Sequence, residues 1–129
     1  MAATWSPKQL ERIGMADELQ IASRRADGAL RRWTPIWVVS VGEHVYVRTW
    51  YRRESGWFGH VLDSHRARIR VSGLEADVAV EDAGVGTAEL RADIDAAYRT
   101  KYGRYGRTSV EAMVSAAAAA TLGLSSADV

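Results

Sequence analysis

Between Arg31 and Trp57 the chain gathers Arg31, Arg32, Arg48, Arg52 and Arg53 together with Trp33, Trp37, Trp50 and Trp57, four of its five tryptophans. The same stretch carries two strongly apolar runs, so it must supply sheet core and a polar site together. A pocket walled by Trp and Tyr would orient a small apolar ligand. His44, Tyr46, Arg48, His60 and Tyr102 are then the candidate acid–base or hydrogen-bonding groups, histidine being the side chain best matched to neutral pH. A cofactor-free isomerase or cyclase of secondary metabolism, or a ligand-binding protein, fits such a pocket. Trp and Arg are also enriched in interface cores, so the cluster equally suits a structural contact between protomers.

Other chemistry is excluded by composition and spacing. With no cysteine there is no disulfide, thiolate metal site or cysteine nucleophile. His44, His60 and His65 show neither H-x-x-x-H nor H-E-x-x-H spacing, so no metal site is expected. Gly84-Val85-Gly86 lacks the third glycine and the strand-turn-helix setting of a dinucleotide fingerprint. Asp93 and Asp95, two apart on a helix, point in different directions and cannot share acid–base work. The 17 basic and 16 acidic side chains give a formal charge of +1, which draws the chain neither to nucleic acid nor to a membrane surface. No basic leader precedes an apolar core, and no apolar run approaches the ~20 residues that span a bilayer. The expectation is a cytoplasmic protein of one domain over residues 1–129, with enough apolar content for a core.

The elements that must position the cluster follow from local pattern. Ser6, Pro7 and Gln9 form a capping box for an N-terminal helix within residues 1–17, and Trp5 with Leu10 has the spacing of a hydrophobic staple. Leu19, Ile21 and Ser23 alternate with Glu18, Gln20 and Ala22 as a strand with one buried face. Asp27-Gly28 reverses the chain into a longer strand from Leu30 to Val41. Its Pro35 belongs at an edge, a bulge or the strand's start, and its run Ile36 to Val39 is apolar enough for cover on both faces. Gly42-Glu43 suits a Gly-first hairpin turn into a strand from His44 to Trp50. There Val45, Val47 and Thr49 share one face and His44, Tyr46, Arg48 and Trp50 the other. Arg48, opposite the core face and beside tryptophans, is the foremost functional candidate. A short helix near residues 55–64 precedes a hairpin in which Arg66, Arg68 and Arg70 form either a solvated row opposing Glu75, Asp77 and Glu81 or an anion-binding row. Thr87 caps a helix over residues 87–102 with a stripe of Leu90, Ile94, Ala97 and Tyr98. Thr108 and Glu111 offer another capping box, and propensity alone would carry a last helix to Leu122.

Arg25, Asp27-Gly28, Arg31, Arg32 and Thr34-Pro35-Ile36, then Val45 to Trp50, the loop Tyr51 to Gly56 and the pair Trp57-Phe58, come in an order that resembles the split-barrel proteins. These are related to pyridoxamine-phosphate oxidases and deazaflavin-dependent nitroreductases. TWSPKQLERI, RRADG, TPIWVV and DAAYRTKYGRYG are similar to an uncharacterised bacterial family within or near that superfamily. The resemblance implies an α+β, mainly β fold: a split β-barrel of about six antiparallel strands with flanking helices, its strands within residues 18–81. It also implies that residues 118–124, with Thr121 to Leu124, close the barrel as a strand. It implies a flavin or deazaflavin oxidoreductase using flavin mononucleotide (FMN) or a deazaflavin on a small-molecule substrate, as a homodimer. Arg31, Arg32, Arg48, Arg52 and Arg53 would hold the cofactor's phosphate or acidic tail, with Thr34 beside them. Trp33, Trp37, Trp50 and Trp57 would wall its ring.

Overall fold

Ser6 and Gln9 complete the capping box that their spacing predicts. Ser6 Oγ accepts the Gln9 amide N–H at 3.2 Å, and Gln9 Oε1 accepts the Ser6 amide N–H at 2.9 Å. Pro7 starts the helix, α1 (Pro7–Met15). Trp5 is buried, packs in the same cluster as Leu10 and donates its indole N–H to the Leu124 carbonyl at 2.9 Å, so the helix entry is tied to the last strand. The computed structural model describes residues 5–25, 27–48, 59–61, 64–71, 74–82, 87–103 and 121–126.

Those residues add seven strands and a second long helix. The strands are β1 (Leu19–Ala22), β2 (Thr34–Ile36), β3 (Val38–Val41), β4 (His44–Arg48), β5 (Arg66–Val71), β6 (Leu74–Asp82) and β7 (Thr121–Ser126), and the helix is α2 (Ala88–Tyr102). All pairings are antiparallel, in the order β2-β1-β5-β6-β7-β4-β3. The two ends of that order are consecutive in the chain with only Trp37 between them. One extended run therefore bends at Trp37. Its first half pairs with β1, Ile36 opposite Leu19, and its second half with β4, Val38 opposite Val47. The bend draws the sheet into a nearly closed barrel, the split-barrel class expected. There are seven strands rather than about six because the single strand predicted from Leu30 to Val41 is divided there. Pro35 lies exposed in β2, whose one ladder is with β1, so its missing N–H breaks no second ladder.

β7 resolves the conflict between propensity and resemblance in favour of the strand. Val45 stands opposite Leu124 on one side of β7 and Val80 opposite Leu124 on the other, and Leu122 and Leu124 are buried in the interior. Two ladders and a buried apolar face outweigh alanine-run propensity up to Leu122. The alanine run, the Thr108–Glu111 cap and most of the helix near residues 55–64 lie outside the described residues.

The turns obey their glycines. Gly28 has φ 89° beside Asp27, whose carboxylate accepts the Ala29 N–H at 2.9 Å. Gly42 has φ 62° while Glu43 keeps a negative φ, the Gly-first hairpin of the prediction. Two apolar layers result. The barrel interior holds Leu19, Ile21, Val38, Val45, Val47 and Ile69 among others. Outside it, the α2 stripe of Leu90, Ile94, Ala97 and Tyr98, with Tyr102, covers Val39 and Tyr46. Val38 and Val39 face opposite layers, as the continuous apolar run requires.

On the solvent face Arg68 bonds Glu75 at 2.8 Å and Asp77 at 3.0 Å, and Arg24 reaches the same Asp77 oxygen at 3.1 Å. This is the solvated row for Arg68. Arg70 instead meets the Gln20 side chain.

Candidate functional site

Arg48 ends β4 on the face opposite Val47, which turns it from the barrel interior toward α2. Its side chain is 1% exposed. Nε donates to Thr121 Oγ1 at 2.8 Å, Nη1 donates to Asp95 Oδ1 at 2.7 Å, and the guanidinium sits 5.4 Å from the centre of the Tyr98 ring. A buried cation persists only where a counter-charge and hydrogen bonds replace its water. Asp95, Thr121 and Tyr98 supply that replacement from α2 and β7. Arg91 Nε stands 3.8 Å from the second Asp95 oxygen, one helical turn away. The Tyr98 hydroxyl is buried and has no hydrogen-bond partner among the described residues. Burial pushes its ionisation well above the ordinary phenol range. The Arg48 charge works against this, and the Arg48 backbone N–H favours the phenolate without reaching hydrogen-bonding geometry.

Tyr102, one turn further along α2, is fully buried and well bonded. Its hydroxyl accepts the Val38 N–H at 2.9 Å and lies 2.8 Å from the Asp17 carbonyl and 3.0 Å from that of Val38. Trp37 stacks on its ring at 4.2 Å with planes 2° apart. Lys101 donates to the Val38 carbonyl at 2.7 Å. Together these groups hold the corner at which the bent strand turns. Tyr46 is buried in the same outer layer, its ionisation raised by burial and by the negative charge of Glu81. His44 is exposed, its ring 6.4 Å from that of Tyr46. His60 is exposed in the described piece of residues 59–61. The fold thus brings Arg48, Trp37 and Tyr102 together under α2 and sets His44 beside Tyr46. His60 meets neither group through any described contact.

Two more candidate arginines, Arg31 and Arg32, lie just before β2 on the second arm of the first hairpin. Arg24 bridges Leu30, and the Arg31 N–H donates to the Ser23 carbonyl at 2.8 Å. Further along, Ile21 is opposite Thr34. From Arg24 back to Ile21 is three steps and from Leu30 on to Thr34 is four, so one extra residue is accommodated across Arg31 to Trp33. That is a β-bulge, a device that re-aims side chains and recurs beside functional sites. Arg31 is half-buried with its Nε fully buried and without a partner among the described residues, Arg32 is exposed, and Trp33 is half-buried beneath the Arg70 guanidinium, 4.2 Å from the ring centre. Trp50, Arg52, Arg53 and Trp57 lie outside the described residues.

Two concavities open on the described surface. One, of about 490 Å³, lies between Gly14 of α1, Val39 to Val41 of β3 and Asp93, Ala97 and Lys101 of α2. The other, of about 380 Å³, is bounded by Glu18, Gln20, Arg70 and Val71. Among the described residues no three His, Asp or Glu side chains group as metal ligands, and no helix is long and apolar enough to cross a membrane.

Sequence reasoning passed over Asp95 as an acid and Ser23 as a site residue, although signals existed for both. Asp95 adjoins the buried stripe of α2, where a carboxylate calls for a cation. Ser23 shares its alternation with Leu19 and Ile21, which makes it a polar group on a buried face.

Several solved structures share the fold. A conserved hypothetical protein of Mycobacterium tuberculosis aligns with TM-score 0.60 and 12% identity over 96% of this chain and 80% of its own. A NimC/NimA family protein of Clostridium acetobutylicum aligns with TM-score 0.55 and 15% identity over 93% and 80%. A candidate 5-nitroimidazole antibiotic resistance protein of Bacteroides thetaiotaomicron aligns with TM-score 0.57 and 12% identity over 96% and 81%. At these identities the likeness is one of fold. No curated protein matches the chain. The family model described as "Uncharacterized protein conserved in bacteria (DUF2255)" matches residues 9–124, nearly the whole of the barrel and its helices, and the chain belongs to that family.

Proposed function

We propose that the protein is a small-molecule oxidoreductase of the split-barrel type that holds FMN or a deazaflavin. The observation that carries this reading is the bulged segment Arg31 to Trp33. It presents a half-buried arginine, whose buried Nε has no partner among the described residues, two positions from a half-buried tryptophan, on a fold shared with the NimC/NimA family protein. The donor set suits the cofactor: Arg31 and Arg32 match phosphate or carboxylate oxygens through their planar forks, and Trp33 offers an aromatic face to a flat ring. Arg70, against the Trp33 ring, fixes that indole in place. The bound cofactor would supply hydride or electron transfer, while the chain's own residues bind and orient it. Arg48 serves from beneath, holding β4 to α2 and β7. The active form is a cytoplasmic homodimer acting on a small-molecule substrate, with no nucleic-acid or membrane partner.

The test is the visible absorbance of protein purified from its native host, followed by titration with FMN and with a deazaflavin. A coloured protein, or tight binding that Arg31→Ala weakens at least tenfold, is the expected result. A colourless protein that binds neither cofactor overturns the reading. One observation favours a second reading, a cofactor-free enzyme or ligand-binding protein: the charge of Arg48 is already taken up by Asp95 and is not free for a phosphate. That reading predicts that apolar ligands bind and that neither flavin nor deazaflavin does.

A further inference from the structure

Two of the three buried side-chain polar atoms that lack a partner among the described residues belong to one cross-strand pair. They are Ser23 Oγ and Arg31 Nε. Ser23 is 1% exposed. The Arg31 N–H to Ser23 carbonyl bond and the adjacent Arg24 to Leu30 bridge set residues 23 and 31 directly opposite each other. Opposed residues of an antiparallel pair project to the same face. A hydroxyl and a guanidinium N–H therefore share one face at the edge of the bulge, both out of water and both unbonded. Leaving two such groups unsatisfied costs free energy, and a protein keeps such a pair where something else completes it. Among the described residues no carboxylate is paired with Arg31. Asp77 is engaged by Arg24 and Arg68, and the Asp27 carboxylate accepts a backbone amide of its own turn. Arg31 as a residue is only half-buried, and the subsite requires one oxygen of a ligand to enter there between the two buried groups.

We propose that Ser23 and Arg31 form an oxyanion subsite, with Ser23 Oγ–H and Arg31 Nε–H donating to a phosphate-type or carboxylate oxygen of the bound ligand. This deepens the oxidoreductase reading by adding Ser23 as a binding residue, and it rests on that reading only for the identity of the ligand. Ser23 orients the oxygen that Arg31 attracts, and the bulge holds both at the mouth of the first hairpin.

Calorimetric titration of the full chain with inorganic phosphate tests the subsite. Parallel titrations with FMN and with riboflavin, which lacks the phosphate, identify its source. Wild-type protein binds phosphate, Ser23→Ala weakens that binding roughly tenfold, and Arg31→Gln removes it. Because the Ser23 hydroxyl has no partner among the described residues, Ser23→Ala leaves the thermal midpoint unchanged or higher, which a structural serine would not do. Loss of FMN affinity in Ser23→Ala with riboflavin affinity unchanged assigns the subsite to the cofactor's phosphate. Phosphate binding with binding of neither FMN nor a deazaflavin leaves the subsite standing and overturns the cofactor reading. FMN binding that Ser23→Ala does not alter overturns the subsite and leaves the cofactor reading intact. Absence of phosphate binding by wild-type protein, or a Ser23→Ala variant that binds it as wild type does, also overturns the subsite.

Discussion

Tyr98 and Tyr102 sit one turn apart on α2, both fully buried, yet their hydroxyls stand in opposite situations. That of Tyr102 takes the Val38 N–H and meets two carbonyls, whereas that of Tyr98 is enclosed without a partner among the described residues. Removing the Tyr102 hydroxyl strands a buried backbone donor at the corner of the bent strand, so Tyr102→Phe should cost about 1–3 kcal/mol. Removing the Tyr98 hydroxyl strands nothing and relieves an unsatisfied group, so Tyr98→Phe should be neutral or stabilising. Urea unfolding of the two variants checks the contrast: the Tyr102→Phe midpoint falls and the Tyr98→Phe midpoint holds or rises. A comparable fall in both would mean that the Tyr98 hydroxyl has a partner after all.

At the scale of elements, the sheet face formed by β5 and β6 is fastened by Glu75 and Asp77, and Asp77 is the carboxylate shared by two arginines. Asp77 takes bonds from Arg68 and Arg24, and the Arg68 bond is the main reason its ionisation lies below the usual carboxylate range. A carboxylate depressed in the folded state contributes stability that is present above its unfolded pKa, about 4, and is lost as the pH falls through the lower folded value. Thermal midpoints should therefore drop with acidification below about pH 4, and drop less steeply in Asp77→Asn. Salt should shrink the difference, since Asp77 is nearly half exposed and Arg68 about a quarter. The cross-strand opposition of Arg68 to Asp77 was legible in the alternation of the two segments, as were the capping box at Ser6 and the glycine turns at Gly28 and Gly42. Each of these depends on residues within a few positions or on one hairpin. The bend at Trp37 was not legible, because what divides Thr34 to Val41 is the choice of β1 for one half and β4 for the other, a tertiary pairing with no local signature. Alternation likewise turned Arg48 away from the barrel interior. It gave no sign that α2 covers that face and brings Asp95 against the guanidinium.

At the scale of the whole molecule the barrel and the outer layer are joined through that buried charge, since Arg48 on β4 bonds Thr121 on β7 and Asp95 on α2. Removing one partner of a buried pair leaves an uncompensated charge, so Asp95→Leu should destabilise the fold by about 3–5 kcal/mol. Replacing both partners by apolar groups of similar volume removes the charge and its desolvation cost together, so Arg48→Met with Asp95→Leu should recover most of that loss. The pair of variants also separates architecture from ligand binding. Arg48 is spent on holding the two layers together, while Ser23 and Arg31 offer their unsatisfied groups at a hairpin that pairs with β5 and not with β4. The double variant should then bind phosphate within about twofold of wild type, a difference small beside the tenfold that marks the loss of a charged hydrogen bond. A folded double variant, with wild-type circular dichroism and midpoint, that nonetheless lost the anion would return Arg48 to the ligand set. It would also mean that the ion pair with Asp95 opens when ligand arrives.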